Sequence, residues 1–142
     1  EAEVVLGDAA DWLAQATPGS VRLLHVDLYD HEAAAPVLDD VDFYRSCRAV
    51  LEEGGLMSVN LFGRHASFRD SIDRIAQAFG ADQVWSLRPT REGNTVVVAG
   101  RAVVVPAREE LASRAALIEM RFGSLGLPAR KWLRMVRPYT PV

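Results

Sequence analysis

Short apolar, β-branched runs alternate with amphipathic segments along this chain, and that alternation admits few architectures. Val21 to Asp27 runs apolar on both faces, the pattern of a strand covered by helices on each side. Ahead of it, Glu3 to Leu6 reads as a strand that stops at Gly7-Asp8, followed by a short helix from Ala9 to Ala14. Asp39 is placed to cap a helix in which Phe43, Tyr44, Cys47, Val50 and Leu51 keep helical spacing until Gly54-Gly55 ends it. Leu56 to Gly63 is the next strand. Ser67 and Asp70 form a capping box for a helix that buries Phe68, Ile72, Ile75, Ala76 and Phe79 and closes at Gly80. Asp82 to Leu87 and Asn94 to Ala99 read as an antiparallel pair. Beyond Pro106 a helix aligns Leu111, Ala115, Ile118 and Phe122, Gly123 to Gly126 breaks it, and Pro128 opens a last short helix. Right-handed crossovers between such strands predict an α/β fold with one open, mixed sheet closed by an antiparallel pair.

The 142 residues, 49% hydrophobic and 25% charged, suit a folded globular protein and exclude a disordered or collagen-like chain. The net charge of −3 is unevenly spread. Residues 1–106 carry 9 basic and 16 acidic side chains, residues 107–142 carry 7 and 3. We therefore expect a body over 1–106 and a helical extension over 107–142 that packs on it. No general basic field exists for a polyanion, which would need a local patch, so no nucleic-acid partner is expected. Cys47 stands alone, excluding a disulfide framework and fitting a reducing, cytoplasmic setting. No apolar run approaches the ~20 residues of a membrane span, and Glu-Ala-Glu-Val does not resemble an export signal, so no membrane association is expected.

Ligands of open α/β sheets lie outside the carboxyl ends of the strands, which here present Asp8, Asp27 and Asn60 to Gly63. Six acids crowd residues 27 to 42, a mouth that attracts cations. Asp39, Asp40 and Asp42 are read as helix-capping residues, Asp30 and Glu32 by themselves as solvated loop acids, and Asp27 as functional, because a carboxylate directly after an apolar strand is partly buried. His25, His31 and His65 lack metal-ligand spacing, so no metal is expected; His25 is read as a hydrogen-bonded core residue and Cys47 as inert. No G-x-S-x-G, G-x-G-x-x-G or phosphate loop is present. Arg130, Lys131, Arg134 and Arg137 around Trp132 are read as a solvated helix face.

Gly7-Asp8-Ala9, Trp12-Leu13, Val26-Asp27-Leu28-Tyr29-Asp30, Phe43-Tyr44 with Cys47-Arg48, Leu51 with Gly54-Gly55, and Arg91-Glu92-Gly93-Asn94 follow one another in an order that resembles the spermidine synthase (polyamine aminopropyltransferase) family, from Val4 to about Gly100. The resemblance implies a Rossmann-like, methyltransferase-type mixed sheet. It also implies that Asp8 and the Ala9 amide recognise adenine, that Asp27 deprotonates the attacking amine, and that Asp30 holds the acceptor cation. The co-substrate implied is decarboxylated S-adenosylmethionine, with no permanently bound cofactor, and the partners are a small amine and an adenosyl sulfonium. Leu28 and Tyr29 replace two small hydroxyl residues, His31 replaces a proline, and Thr90-Arg91-Glu92-Gly93 replaces a tyrosine-bearing loop. These departures mark a divergent member. The family's N-terminal strands and glycine-rich turn have no counterpart ahead of Gly7-Asp8, so the chain is expected to be the C-terminal part of such a domain, inactive alone and pairing into a dimer through its exposed sheet edge. Two other readings are an S-adenosylmethionine-dependent methyltransferase on the same fold and a non-catalytic adenosyl-binding or oligomerisation module.

Overall fold

The computed structural model describes residues 2–28, 38–62, 66–91 and 93–141. In chain order these form α1 (Ala9–Gln15), β1 (Val21–Val26), α2 (Val41–Val50), β2 (Leu51–Phe62), α3 (Ala66–Phe79), β3 (Val84–Ser86), β4 (Asn94–Gly100), α4 (Arg108–Phe122), α5 (Ala129–Met135) and β5 (Arg137–Pro138). The strands make one mixed sheet in the order β1-β2-β4-β3-β5. β1 and β2 are parallel, β4 is antiparallel to β2, and β3 is antiparallel to β4. The α/β class and the antiparallel pair are as the sequence predicts.

The register sorts β2 by parity. Met57, Val59 and Leu61 are buried with Val97 and Ala99 of β4 in one cluster that also takes in Phe43, Tyr44, Cys47 and Val50 of α2 and Ile72, Ile75 and Phe79 of α3. Leu24 pairs with Met57 and Val26 with Val59, so β1 turns those two side chains to the same core. The opposite parity is open. Leu23 is 60% exposed and His25 is exposed, so helices cover β1 on one face among the described residues, not on both as its composition predicts.

Other local expectations are corrected. Residues 3–6 form no strand, and Val4, Val5 and Leu6 lie exposed, because no described strand runs beside them to accept their backbone hydrogen bonds. Helix α2 ends at Val50 and the chain passes straight into β2, so Gly54-Gly55 is no helix cap. Its task is close approach. A Cβ on Gly55 would meet the Glu52 carbonyl at 2.9 Å and that of Val21 at 3.2 Å, where the β1–β2 register shifts. Ser67 lies inside α3 and not at its cap, whereas Gly80, at φ 102°, ends that helix as expected. In α4 only Ala115 of the expected stripe is buried, and Ile118 and Phe122 stay exposed, since α4 packs mainly on α5. After α5 the chain returns to the sheet as β5, and Tyr139 reaches α3, where its hydroxyl donates to Asp73 at 2.8 Å beneath the Arg69 guanidinium.

Asp39 is not the cap of α2. Asp40 accepts the Phe43 amide at 2.8 Å, and the Asp39 carboxylate, 11% exposed, turns inward to accept from Tyr44 Oη at 2.7 Å, Ser71 Oγ at 2.7 Å and Arg74 Nη1 at 2.6 Å. This one acid joins α2 to α3. Removing it takes the acceptor from the Tyr44 hydroxyl and the Arg74 guanidinium and leaves Ser71 Oγ only the Ser67 carbonyl at 3.0 Å, so Asp39→Ala should destabilise by ~2–3 kcal/mol, against ~1 kcal/mol for the cap variant Asp40→Ala. Urea denaturation of the two variants checks that order.

Candidate active site

The carboxyl end of β1 and the start of α1 border a cavity of about 400 Å³, within the size range of small-molecule sites. Trp12, Leu13, Leu24 and Phe43 supply apolar walls, and Asp8, Ala9, His25 and Asp27 supply polar groups. Three residues singled out from the sequence, Asp8, Ala9 and Asp27, are thereby brought together. The fourth, Asp30, lies outside the described residues, as do Glu32, His31 and His65.

Asp8 has a structural task. Its Oδ1 accepts the Ala10 amide at 2.8 Å and the Asp11 amide at 3.3 Å, making it the N-cap of α1. The cap holds the first turn against the cavity, and Oδ2 takes no bond from any described residue. The Ala9 amide is not among the amides that Asp8 caps.

Asp27 is exposed, where its position after an apolar strand predicts partial burial. The reason is the open face of β1, which leaves the strand end in water. Asn60 Nδ2 donates to Asp27 Oδ1 at 3.1 Å from the neighbouring strand. Two residues back on the same face, His25 Nδ1 lies 2.7 Å from Ser58 Oγ, so His25 is hydrogen-bonded as expected but does not belong to the core. The sequence locates the strand end that carries Asn60, yet its pairing with Asp27 depends on the β1–β2 register. The arrangement can orient one carboxylate oxygen and leave the other for a proton or an ammonium group.

Cys47 is fully buried at the cavity's inner wall, and burial pushes its thiol up to about 12. Burial, followed by the hydrogen bond to Asp39, likewise raises the Tyr44 phenol well above its ordinary value. Among the described residues no cluster of His, Cys, Asp and Glu is arranged to hold a metal, and no helix is long and apolar enough to cross a membrane.

No family model matches the chain. It is 29% identical over 122 residues to the polyamine aminopropyltransferase of Chromobacterium violaceum, a match covering 85% of this chain and 46% of that protein. A probable spermidine synthase from Corynebacterium glutamicum superimposes with a TM-score of 0.59 at 20% identity, over 97% of this chain and 54% of its own. A putative DNA modification methylase from Thermus thermophilus, complexed with S-adenosyl-L-methionine, aligns with a TM-score of 0.51 at 19% identity, over 83% and 61%. The chain is thus similar to spermidine synthases, as a divergent relative, and has the methyltransferase-like α/β fold that these structures share. It spans about half the length of the curated relative it matches.

Two outcomes follow from the geometry. Asp8→Ala should cost ~1 kcal/mol through the lost cap, while Asp8→Asn, an equally good cap, keeps stability within a few tenths; chemical denaturation measures both. Cys47 should resist alkylation at pH 8 until the chain is unfolded, because the shift lowers its thiolate fraction by roughly three orders of magnitude. As its folded value lies above the usual 9.0, its share of stability is complete below pH 9.0 and is lost as pH rises toward about 12. Thiol titration with and without urea, and thermal midpoints across that window, check the two statements.

Proposed function

We infer that this chain supplies the adenine-facing and amine-activating part of a spermidine synthase-like transferase that moves an aminopropyl group from decarboxylated S-adenosylmethionine to a polyamine or related amine. The observation that carries the reading is one cavity bordered by both Asp8-Ala9 and Asp27, in a chain similar to a polyamine aminopropyltransferase. Trp12, Leu13 and Phe43 offer flat and aliphatic surface for a base, with the Asp8 carboxylate as acceptor for its exocyclic amine and the Ala9 amide as donor to a ring nitrogen.

An alkylamine with a pKa of ~10.4 is protonated at neutral pH and cannot attack until a base removes or shares its proton. Asp27, held through one oxygen by Asn60, fills that role, and Asp30 would hold the acceptor's distal charge. The amine nitrogen bonds to the propyl carbon next to sulfur, the C–S bond breaks with its electron pair moving to sulfur, and methylthioadenosine leaves as a neutral thioether. The proton passes to Asp27 and then to water. Since the leaving group needs no acid, one base and in-line placement are sufficient. A cytoplasmic dimer, paired through the edge of β1 that no other described strand covers, goes with this reading.

A second reading is methyl transfer from S-adenosylmethionine, favoured by the S-adenosyl-L-methionine-bound methylase of the same fold. Product analysis separates them. In the protein that carries this sequence, supplied with both donors and a panel of amines, methylthioadenosine supports aminopropyl transfer and S-adenosylhomocysteine supports methyl transfer. Asp27→Asn should lower kcat by ~10²–10⁴ with methylthioadenosine binding retained. Undiminished turnover in that variant would remove Asp27 from the mechanism.

A further inference from the structure

At the opposite flank of the sheet from Asp27 lies a groove of about 1020 Å³ that the adenosyl reading does not use. Three segments distant in sequence build it. Arg88 and Pro89 follow β3, Arg108 and Ala112 come from the first turns of α4, and α5 with its exit contributes Arg130, Lys131, Leu133, Arg134, Met135, Val136 and Arg137. Taken alone, the α5 cations read as a solvated face; the fold sets Arg88 and Arg108 opposite them.

Among the described residues, no carboxylate lines this groove. Glu119 is committed to Arg130, whose amide and guanidinium hold it below the usual carboxylate range with a smaller share from the charge of Arg134, and Glu110 is committed to Arg114. Arg137 donates to the carbonyls of Arg134 and Val136. Among the described residues, Arg88, Arg108, Lys131 and Arg134 form no ion pair. Their side chains are donors only, and no described lining side chain is a hydrogen-bond acceptor. A peptide entering the groove would bring backbone N–H groups that these side chains cannot satisfy, whereas a phosphodiester backbone brings acceptor oxygens suited to guanidinium groups.

β3 runs in the direction of β1 and β2, so Arg88 stands at the same end of the strands as Asp27. We propose that the groove between the end of β3, the start of α4 and α5 binds the phosphate backbone of a single-stranded nucleic acid. With no side-chain acceptor and no aromatic among the described lining residues, binding is indifferent to base sequence.

Fluorescence anisotropy with a labelled 20-nucleotide oligo(dT) tests this on the intact chain. Four cations that form no ion pair among the described residues predict a log–log salt slope near ~−3, an affinity loss of roughly fifty-fold between 50 and 200 mM salt. The double variant Lys131→Glu/Arg134→Glu should weaken binding at least ten-fold, and Lys131→Ala/Arg134→Ala should weaken it less with a shallower slope; circular dichroism confirms that both fold. Arg45→Glu, the same change of sign on α2, should leave binding unaltered. Absence of binding at 50 mM salt overturns the proposal. Equal losses in the groove and Arg45 variants also overturn it, as does displacement of the oligonucleotide by an equal concentration of poly-glutamate, which would make an acidic protein segment the partner.

Discussion

The pairing of β2 on both its edges is the constraint on which the remaining structure depends. Parallel to β1 on one side and antiparallel to β4 on the other, it assigns Met57, Val59 and Leu61 to the core and Ser58 and Asn60 to the open face. Strand side chains alternate with a period of two, so a slip of one residue would bury the polar pair and expose the apolar three. Gly55 helps to hold the register, since its missing side chain lets the β2 backbone close on Val21 and Arg22. From that register the placement of Asn60 beside Asp27 follows directly.

The acidic residues near the N-terminal half show how one residue type divides its labour. Asp8 and Asp40 each spend an oxygen on backbone amides at a helix start. Asp39, their neighbour in composition, is an internal tie between α2 and α3 because Tyr44, Ser71 and Arg74 converge on it. Asp27 takes one side-chain amide and stays exposed, which suits a group that must meet a cationic substrate. Their environments differ far more than their spacing suggests.

The basic C-terminal third is likewise divided by the fold. Its helices leave Leu117, Met120 and Leu125 exposed and bind each other more than they bind the body, yet the segment beyond them pairs with β3 and fastens Tyr139 to Asp73. That return positions the α5 cations across from Arg88. Charge counted along the chain separates a basic tail from an acidic body. Distance in space turns part of that tail into one wall of a groove.

Hydrophobic periodicity alone was enough to determine the α/β class, the helices α2 and α3 with their buried stripes, and the antiparallel partners β3 and β4, because each is written in local spacing of 3.6 or 2 residues. The order of Gly7-Asp8-Ala9 and Val26-Asp27 likewise carried the likeness to spermidine synthases. Only the tertiary structure decided which acid caps and which acid clamps, that Asn60 is the partner of Asp27, that residues 3–6 are not a strand, and that β1 has one face no described helix covers. Each of these depends on a neighbour supplied from far along the chain, and local spacing holds no record of which strand lies beside which, or of where no strand lies at all.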